Sequence, residues 1–251
     1  MGSVVAVIPS RYGSQRLRAK PLIDLCGKPM VQHVYERAAQ AKLIDRVIIA
    51  TDHEEIAKTV RGFGGEAVMT PESLRSGTDR VAFVAEKLSD AEIVVNVQGD
   101  EPLIDPRMID QAVAPLKVDS AIAVGTLVKV IDDPADLANP SVVKAALDCS
   151  GFALYFSRSP IPHRRDEPDM QKWLAGQTYY KHIGLYVFRR EFLRLYSGWE
   201  ETPLERSEKL EQLRIMEHGY RIKAAVTEFD SIPIDTQDDV QKVIARMNST
   251  T

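Results

Sequence analysis

The sequence predicts an α/β fold in which a mostly parallel sheet carries helices on both faces. Three continuous apolar runs, at residues 4–8, 46–50 and 92–97, have the β-branched composition of strands that are buried on both faces of a parallel sheet. Apolar residues at helical spacing follow each run. Strand–helix alternation at this pitch is typical of right-handed βαβ units.

Local signals mark the ends of the helices in this first half. Pro29 suits the first turn of the helix that follows it. Gly62, Gly64 and Gly65 predict the end of a second helix, whose apolar stripe includes Ile56. A third helix has the stripe Val81, Val84, Ala85 and Leu88, and the dipeptide Asp105-Pro106 opens a fourth.

From about residue 120 the alternation gives way to strands with few helices between them. Strands are predicted at residues 121–131, 142–147, 152–156 and 183–188. The segment 160–177, rich in proline and charge, is predicted to be an exposed loop or mobile lobe.

Helical patterning returns near the C-terminus, at residues 203–217 and 236–247. Thr236 and Asp239 suit a capping box at the start of the last helix. We therefore predict a single domain over residues 1–251, with a mixed sub-lobe near residues 125–195.

Composition narrows the class of protein. The 251 residues are 44% hydrophobic and 27% charged, as in ordinary globular proteins, and the net charge of −4 argues against a nucleic-acid binder. The sequence has neither an apolar stretch of the ~18–20 residues that a membrane span needs nor a secretory leader, so we expect a cytoplasmic protein. Cys26 and Cys149 lie far apart without zinc-site spacing, and free thiols are expected.

A basic loop follows the first predicted strand. It holds four cations within ten residues, with Gly13 among them: Arg11, Arg16, Arg18 and Lys20. Fixed positive charge beside a flexible backbone suits a polyanion such as a triphosphate. The alternative is a solvated surface loop, because neither the Walker pattern nor the Gly-x-Gly-x-x-Gly pattern is present.

Acidic residues follow strands at the same predicted sheet edge. Asp100 could hold Mg2+ against phosphates, or could merely begin a turn. Asp235 is an ordinary turn or helix-start residue unless the fold brings it opposite Asp100. For Asp52 we favour a capping role at the helix near residue 54 over a role in the site. Glu101 is not expected to belong to the site, because adjacent side chains of an extended backbone point in different directions and Glu101 should therefore point away from Asp100.

The helix start at residues 76–80 combines hydroxyl groups, a glycine and a cation. Its backbone amides could bind a ligand carbonyl or phosphate, although an ordinary helix start has the same composition.

Short motifs in a fixed order carry a resemblance that covers nearly the whole chain. They are IPSRYGS at 8–14, KPL at 20–22, GKPM at 27–30, ATD at 50–52, SGTDR at 76–80, NVQGDEP at 96–102, ALYFSRSPIP at 153–162, HIGLY at 182–186 and LEQLR at 210–214. In these motifs the sequence resembles the 3-deoxy-manno-octulosonate (Kdo) cytidylyltransferase family.

The resemblance implies a Rossmann-like, mixed and mostly parallel sheet of the nucleotide-diphospho-sugar transferase type. It also implies a reaction in which the anomeric hydroxyl of Kdo attacks the α-phosphorus of CTP, giving CMP-Kdo and pyrophosphate for lipopolysaccharide synthesis. Mg2+ is the implied cofactor, CTP and Kdo are the substrates, and the implied assembly is a homodimer that pairs through the sub-lobe.

The resemblance also assigns roles to residues. Nucleotide binding falls to Arg11, Arg16, Lys20, Ser76, Thr78, Arg80 and Gln98. Lys20, Arg16 and Asp100 are the implied catalytic residues, and Asp100 and Asp235 the implied metal ligands. The implied sugar-binding residues are Arg158, which could pair with the sugar carboxylate, His182, Tyr186, Glu211 and Gln212. His182 is also a candidate general base, although a metal-activated hydroxyl would make that role dispensable.

Two segments depart from the family pattern. Arg18-Ala19 replaces a common Pro-Gly, and the lead-in Ile232-Pro233-Ile234 replaces Gly-Val before Asp235. Two alternatives stay open at this stage. One is a cytidylyltransferase for another acid sugar, 8-amino-Kdo or a sialic acid, and the other is a non-catalytic nucleotide-binding relative.

Overall fold

The fold is built on one mixed sheet. The structure, a computed structural model, describes residues 2–13 and 17–249. In that part of the chain the strands are β1 (Ser3–Ser10), β2 (Asp24–Leu25), β3 (Lys28–Pro29), β4 (Arg46–Thr51), β5 (Glu66–Met69), β6 (Ala91–Asn96), β7 (Val124–Val130), β8 (Lys144–Leu147), β9 (Ala153–Ser157), β10 (Tyr180–Arg189) and β11 (Ile222–Thr227). β2 and β3 pair as a separate short hairpin, and the other strands form the sheet.

The strand order along the sheet is β11-β7-β10-β6-β1-β4-β5. β6, β1, β4 and β5 are parallel, β11 is parallel to β7, and β10 is antiparallel to both of its neighbours. The β8–β9 hairpin extends the sheet at the beginning of β10, where Tyr180 pairs with Ala145. The predicted mixed and mostly parallel sheet is confirmed.

Helices cover both faces of the sheet. They are α1 (Met30–Ala38), α2 (Glu54–Gly62), α3 (Gly77–Ala85), α4 (Pro106–Val118), α5 (Pro134–Ala138), α6 (Arg190–Tyr196), α7 (Pro203–Glu208), α8 (Gln212–Glu217) and α9 (Gln237–Asn248). Alternate residues of β1 enter different cores, since Ala6 packs with α1, α2 and α4 whereas Val7 packs with α3 and α6. None of the helices among the described residues combines the length and the apolar character that a membrane crossing requires.

The predicted helix starts are mostly confirmed. Asp105 caps α4 by accepting a hydrogen bond from the amide of Arg107, and Thr236 and Asp239 form the capping box of α9. Pro29 lies one residue earlier than expected, at the N-cap of α1. These signals are local, so the sequence carries them reliably.

The second half of the chain is more helical than predicted. The helical segment 203–217 is divided into α7 and α8, because Lys209 adopts a left-handed conformation with φ of 53°. The segment 160–177 is not simply an exposed loop: a 3₁₀ helix at Met170–Ala175 buries Trp173 against Leu137 and Tyr179. β7 and β10, which fall within the predicted sub-lobe, belong to the central sheet. The small cluster around Trp173 therefore spans fewer residues than the predicted sub-lobe of residues 125–195. The single-domain assignment itself stays a prediction.

Candidate active site

A cavity of about 430 Å3 lies at the carboxyl ends of the parallel strands. Its walls come from the loops that follow β1 and β6, from the start of α3 and from the segment before α9. The fold brings eight predicted site residues to these walls: Arg11, Lys20, Ser76, Arg80, Gln98, Asp100, Glu211 and Asp235. This is the edge of an open α/β sheet at which ligands bind.

A backbone hydrogen bond joins the two ends of the basic loop. The amide of Ala19 donates to the carbonyl of Tyr12 at 3.3 Å, and the Tyr12 ring stacks on His53 with 3.7 Å between ring centroids. Arg11 is exposed at the cavity, whereas Lys20 is largely buried within it. Arg16 lies outside the described residues, so its predicted role in phosphate binding and catalysis stays a prediction.

Lys20 bridges the two predicted metal ligands. Its Nζ lies 2.8 Å from Oδ2 of Asp100 and 3.1 Å from Oδ1 of Asp235. The backbone holds the two carboxylates together, because the amide of Ile234 donates to the carbonyl of Asp100 at 2.9 Å. The condition that sequence reasoning set for Asp235, a position opposite Asp100, is met.

The donor set at this point fits Mg2+. This ion is held by one or two carboxylates and completes its shell with water and substrate phosphates. Asp100 and Asp235 supply such a pair, and the described residues contain no cluster of three or more Asp, Glu, His or Cys side chains that could form an all-protein cage. The ammonium group of Lys20 lies between the two carboxylates, at the position that a divalent ion would take.

Gly99 allows the loop after β6 to lie against the end of β1. A Cβ at this position would come within 2.5 Å of the carbonyl oxygen of Pro9, so no side chain fits. The close approach places Asp100 beside Lys20. Glu101 turns away into the protein, as expected, and burial together with the neighbouring charge of Asp100 raises its pKa to about 8.

Asp52 has a different role from the one the sequence favoured. The N-cap of α2 is His53, whose side chain accepts from the amide of Glu55, so the capping assignment for Asp52 is wrong. Asp52 instead accepts from the Tyr12 amide at 3.0 Å and from Nη2 of Arg80 at 2.9 Å. Arg80 is almost fully buried and donates also to Oγ1 of Thr70. Asp52 thus connects the loop after β1 to α3.

The start of α3 faces both the main cavity and a second one. Ser76 lines the main cavity, and its Oγ accepts from the amide of Asp79 within the capping box, so the hydroxyl proton is available to a ligand. Thr78 lines only the second cavity, and its hydroxyl contacts Nδ2 of Asn96 and the carboxylate of Glu211. Its predicted nucleotide contact stays a prediction.

The second cavity, of about 240 Å3, adjoins the first and gathers most of the predicted sugar-binding residues. Gln98 and Glu211 line both cavities and therefore mark the boundary between them. Nε2 of Gln98 donates to the carbonyl of Gly184 at 2.9 Å, which fixes the orientation of its amide. The other predicted sugar-binding residues in these walls are His182, Tyr186 and Gln212.

His182 is a neutral group in this cavity. Burial lowers its pKa to about 3, far below the ordinary value of 6.5. The Thr126 hydroxyl donates to the carbonyl of Leu185 at 2.8 Å, so Nε2 of His182 must donate to Thr126 Oγ1, 2.9 Å away. A base this weak is poorly suited to remove a proton near pH 7, which weakens the general-base hypothesis.

The buried imidazole has a measurable effect on stability. Between about pH 3 and 6.5 the unfolded chain binds a proton at His182 that the folded protein does not bind, so the free energy of unfolding falls as the pH falls. In His182→Gln we expect this loss to be smaller by up to about 1.4 kcal/mol per pH unit between pH 4.5 and 6. Urea unfolding measures it, and above pH 7 the difference between the two proteins should not change with pH.

Burial also affects the acidic groups of the second cavity. It raises the pKa of Glu211, an effect that the hydrogen bond from Thr78 opposes. It raises the pKa of Tyr186 well above its ordinary value, which keeps the phenol protonated. Gln212 is 4% exposed, and its Nε2 has no partner among the described residues.

Arg158 is engaged by the backbone. Its guanidinium donates to the carbonyls of Glu208 at 2.7 Å, Pro140 at 3.0 Å and Lys209 at 3.4 Å. The walls of the two cavities, as far as the structure describes them, include Lys209 but not Arg158. The pairing of Arg158 with a sugar carboxylate stays a prediction.

Known proteins share this fold and these motifs. A family model described as cytidylyltransferase matches residues 5–222. A 3-deoxy-manno-octulosonate cytidylyltransferase of Geotalea uraniireducens is 51% identical over 253 residues, which cover 97% of this chain and 98% of the relative. The chain belongs to this family. A CMP-2-keto-3-deoxy-manno-octonic acid synthetase solved with CTP superposes with a TM-score of 0.92 at 42% identity, covering 99% of this chain and 100% of that one.

A more distant structure shows the fold alone. A 4-diphosphocytidyl-2C-methyl-D-erythritol synthase from Anaerococcus prevotii superposes with a TM-score of 0.64 at 15% identity, over 98% of this chain and 99% of that one. The predicted fold class and the predicted family are thus both confirmed.

Sequence reasoning missed several residues in these walls. Asn96 and Gly99 lie within the motif NVQGDEP but carry no separate signal, because one ends a strand and the other has no side chain. Ser10 ends β1 and lines the main cavity with a buried hydroxyl that has no partner among the described residues. Lys209 stands between two helices that the sequence predicts as one.

Proposed function

We propose that this protein transfers CMP from CTP to the anomeric hydroxyl of Kdo and releases pyrophosphate. The observation that carries the proposal is the convergence of Lys20, Asp100 and Asp235 in a cavity that shares Gln98 and Glu211 with a second one. The family membership supports it, since relatives that match over nearly the full length carry the name of this activity.

On the nucleotide side, cations meet the triphosphate. Arg11 and Lys20 line the main cavity and would neutralise charge on the phosphate oxygens. An in-line displacement at phosphorus needs positioned reactants and preorganised positive charge rather than covalent chemistry by the protein. Amides at the start of α3, a nine-residue helix at the same cavity, would add hydrogen-bond donors.

We propose that Asp100 and Asp235 hold Mg2+ when the nucleotide is bound. The ion would polarise the α-phosphate and lower the pKa of the attacking hydroxyl. Lys20 would exchange its two carboxylate partners for phosphate oxygens, to which an ammonium group binds as a point charge.

On the sugar side, the second cavity suits a polyhydroxylated acid. Most of its polar side chains are uncharged, including the neutral imidazole of His182, and such groups exchange hydrogen bonds with hydroxyls. Lys209 lines the same cavity, and its ammonium group, which lies 3.8 Å from the Glu201 carboxylate, would supply a positive charge for the sugar carboxylate. The boundary residues Gln98 and Glu211 place the two substrates next to each other.

The test is pyrophosphate release with CTP, Mg2+ and a panel of acid sugars. We expect turnover that requires Kdo, CTP and the divalent ion together. Turnover with 8-amino-Kdo or a sialic acid but not with Kdo would replace the substrate and keep the chemistry. Silence with every sugar, despite measurable CTP binding, would overturn the proposal in favour of a non-catalytic nucleotide-binding protein.

Two further expectations belong to this proposal. We propose that the protein forms a homodimer through the sub-lobe, which light scattering on the eluted protein would test. We also place its activity in the cytoplasm, and fractionation of cells that express the protein would test this location.

A further inference from the structure

Two buried polar atoms in the wall of the second cavity have no partner among the described residues. They are Oδ1 of Asn96, a residue 1% exposed at the end of β6, and Nε2 of Gln212, a residue 4% exposed at the start of α8. Both residues line this cavity. Folded proteins satisfy nearly all of their buried polar atoms, so two exceptions in one small cavity point to a bound partner.

The hydrogen bond to Thr78 fixes which end of the Asn96 amide is left over. Nδ2 of Asn96 donates to Oγ1 of Thr78 at 3.3 Å. The amide nitrogen is thereby engaged, and the oxygen remains as an unpaired acceptor.

We propose that Asn96 is a substrate-binding residue whose Oδ1 accepts a hydrogen bond from a hydroxyl of the acid sugar, with Gln212 Nε2 donating to a sugar oxygen beside it. This inference rests on the function proposed above. A sugar carboxylate does not fit at Asn96, because two acceptors would face each other there. The polyhydroxyl part of the sugar therefore lies against the end of β6, and the carboxylate lies toward Lys209 in the same cavity.

The contact also selects among substrates. A sugar that presents no donor at this point would leave Asn96 Oδ1 buried and unpaired, as in the free protein. Sites that hydrogen-bond a substrate hydroxyl reject analogues lacking it far more strongly than apolar pockets reject an extra methylene. Asn96 would therefore act on the choice of sugar and leave the choice of nucleotide unaffected.

Steady-state kinetics on Asn96→Leu test the inference. Leucine keeps the branched shape but removes the amide and with it the acceptor, and we expect the KM for Kdo to rise about tenfold to hundredfold while the KM for CTP stays within about twofold. Gln111→Leu is the matched control, because Gln111 Oε1 is also buried without a described partner but lies on α4, outside the cavity. This control should leave both KM values unchanged.

Two further experiments distinguish a direct contact between Asn96 and the sugar from an effect of Asn96 on the position of another residue. Thr78→Val removes the hydroxyl that accepts from Asn96 Nδ2 but keeps Asn96. If Asn96 acted only through Thr78, Thr78→Val would reproduce the whole effect and the double variant would add nothing to it. Deoxy analogues of the sugar give the second arm: the analogue that lacks the contacted hydroxyl should bind the wild type poorly and lose little more in Asn96→Leu.

An unchanged KM for Kdo in Asn96→Leu would overturn the inference and leave the proposed function standing. An unchanged KM for CTP shows that the variant is folded, and Asn96→Ala replaces it if leucine is not tolerated. A wild type that turns over no sugar would instead refute the proposed function. Calorimetry with Kdo would then test the role of Asn96 independently of turnover. Equal binding of Kdo by wild type and variant, or no binding by either, would overturn that role.

Discussion

Lys20→Met is expected to abolish most of the activity and at the same time to tighten divalent-metal binding in the absence of nucleotide. Methionine has a similar reach but no charge, so the two carboxylates would face each other without the ammonium that now lies 2.8 and 3.1 Å from them. We expect kcat with CTP and Kdo to fall about a hundredfold to a thousandfold, the usual effect of removing one preorganised charge-stabilising donor.

The metal effect has the opposite sign because Lys20 and a divalent ion compete for the same oxygens. A hydrogen bond between charged groups is worth about 1.5–3 kcal/mol, and the value here should lie at the lower end because Asp235 is half exposed. We therefore expect Mn2+, used as a probe, to bind free Lys20→Met about tenfold more tightly than the wild type. A triphosphate that draws Lys20 away would have the same effect on the wild type, so CTP and metal should increase each other's affinity.

Titration of Mn2+ by electron paramagnetic resonance gives the affinity, and pyrophosphate release gives the rate. Lys28→Met is the matched control, because Lys28 pairs with Glu36 at 2.7 Å on the surface away from the cavity. It should change neither quantity. The variant Lys20→Met/Asp100→Asn should lose the gain in affinity. Weaker Mn2+ binding by Lys20→Met would contradict the competition and make Lys20 a contributor to the metal site.

The site follows from the sequence only where its determinants are local or contained in motifs. The strands β1, β4 and β6 are predicted because both of their faces are buried, which produces continuous apolar runs. β5 was missed because it is short, lies at the sheet edge and is only partly buried. Local capping chemistry likewise identified the starts of α4 and α9.

Contacts between segments that lie far apart along the chain could not be predicted from the sequence. Asp235 looks like any turn residue, and its place beside Asp100 depends on β11 running parallel to β7 and on the Ile234 amide that joins the two segments. Motif resemblance identified this pair, but no physical reading of the residues did. The same limit explains Asp52: a carboxylate two residues before a helix suits a cap, while the buried arginine that it pairs with lies on another element.

Removing the Asp52 carboxylate is expected to destabilise the fold more than an ordinary surface ion pair would. Asp52→Ala leaves the Arg80 guanidinium, 3% exposed, without its counter-charge, and breaking a buried pair in this way costs about 3–5 kcal/mol. Urea unfolding measures the loss. Asp52→Leu/Arg80→Met should recover much of it, because no uncompensated charge then remains buried.

Glu54→Ala is the control, since Glu54 and Arg61 form a pair of similar length, 3.1 Å, with both side chains half exposed. Such pairs contribute about 0–1 kcal/mol. If Asp52→Ala cost no more than Glu54→Ala, or if the double variant were as unstable as the sum of its single changes, the pair would not hold the two elements together.

The same carboxylate links stability to nucleotide binding, and Asp52→Asn separates the two effects. An asparagine can still accept from the Tyr12 amide through Oδ1, but it turns an NH₂ group rather than an oxygen toward Arg80. We therefore expect Asp52→Asn to be destabilised while the KM for CTP changes little, because the hydrogen bond from the Tyr12 amide, which holds the basic loop, is preserved. Asp52→Ala should raise that KM as well, since the amide of Tyr12 then loses the contact that fixes the loop beside the phosphates.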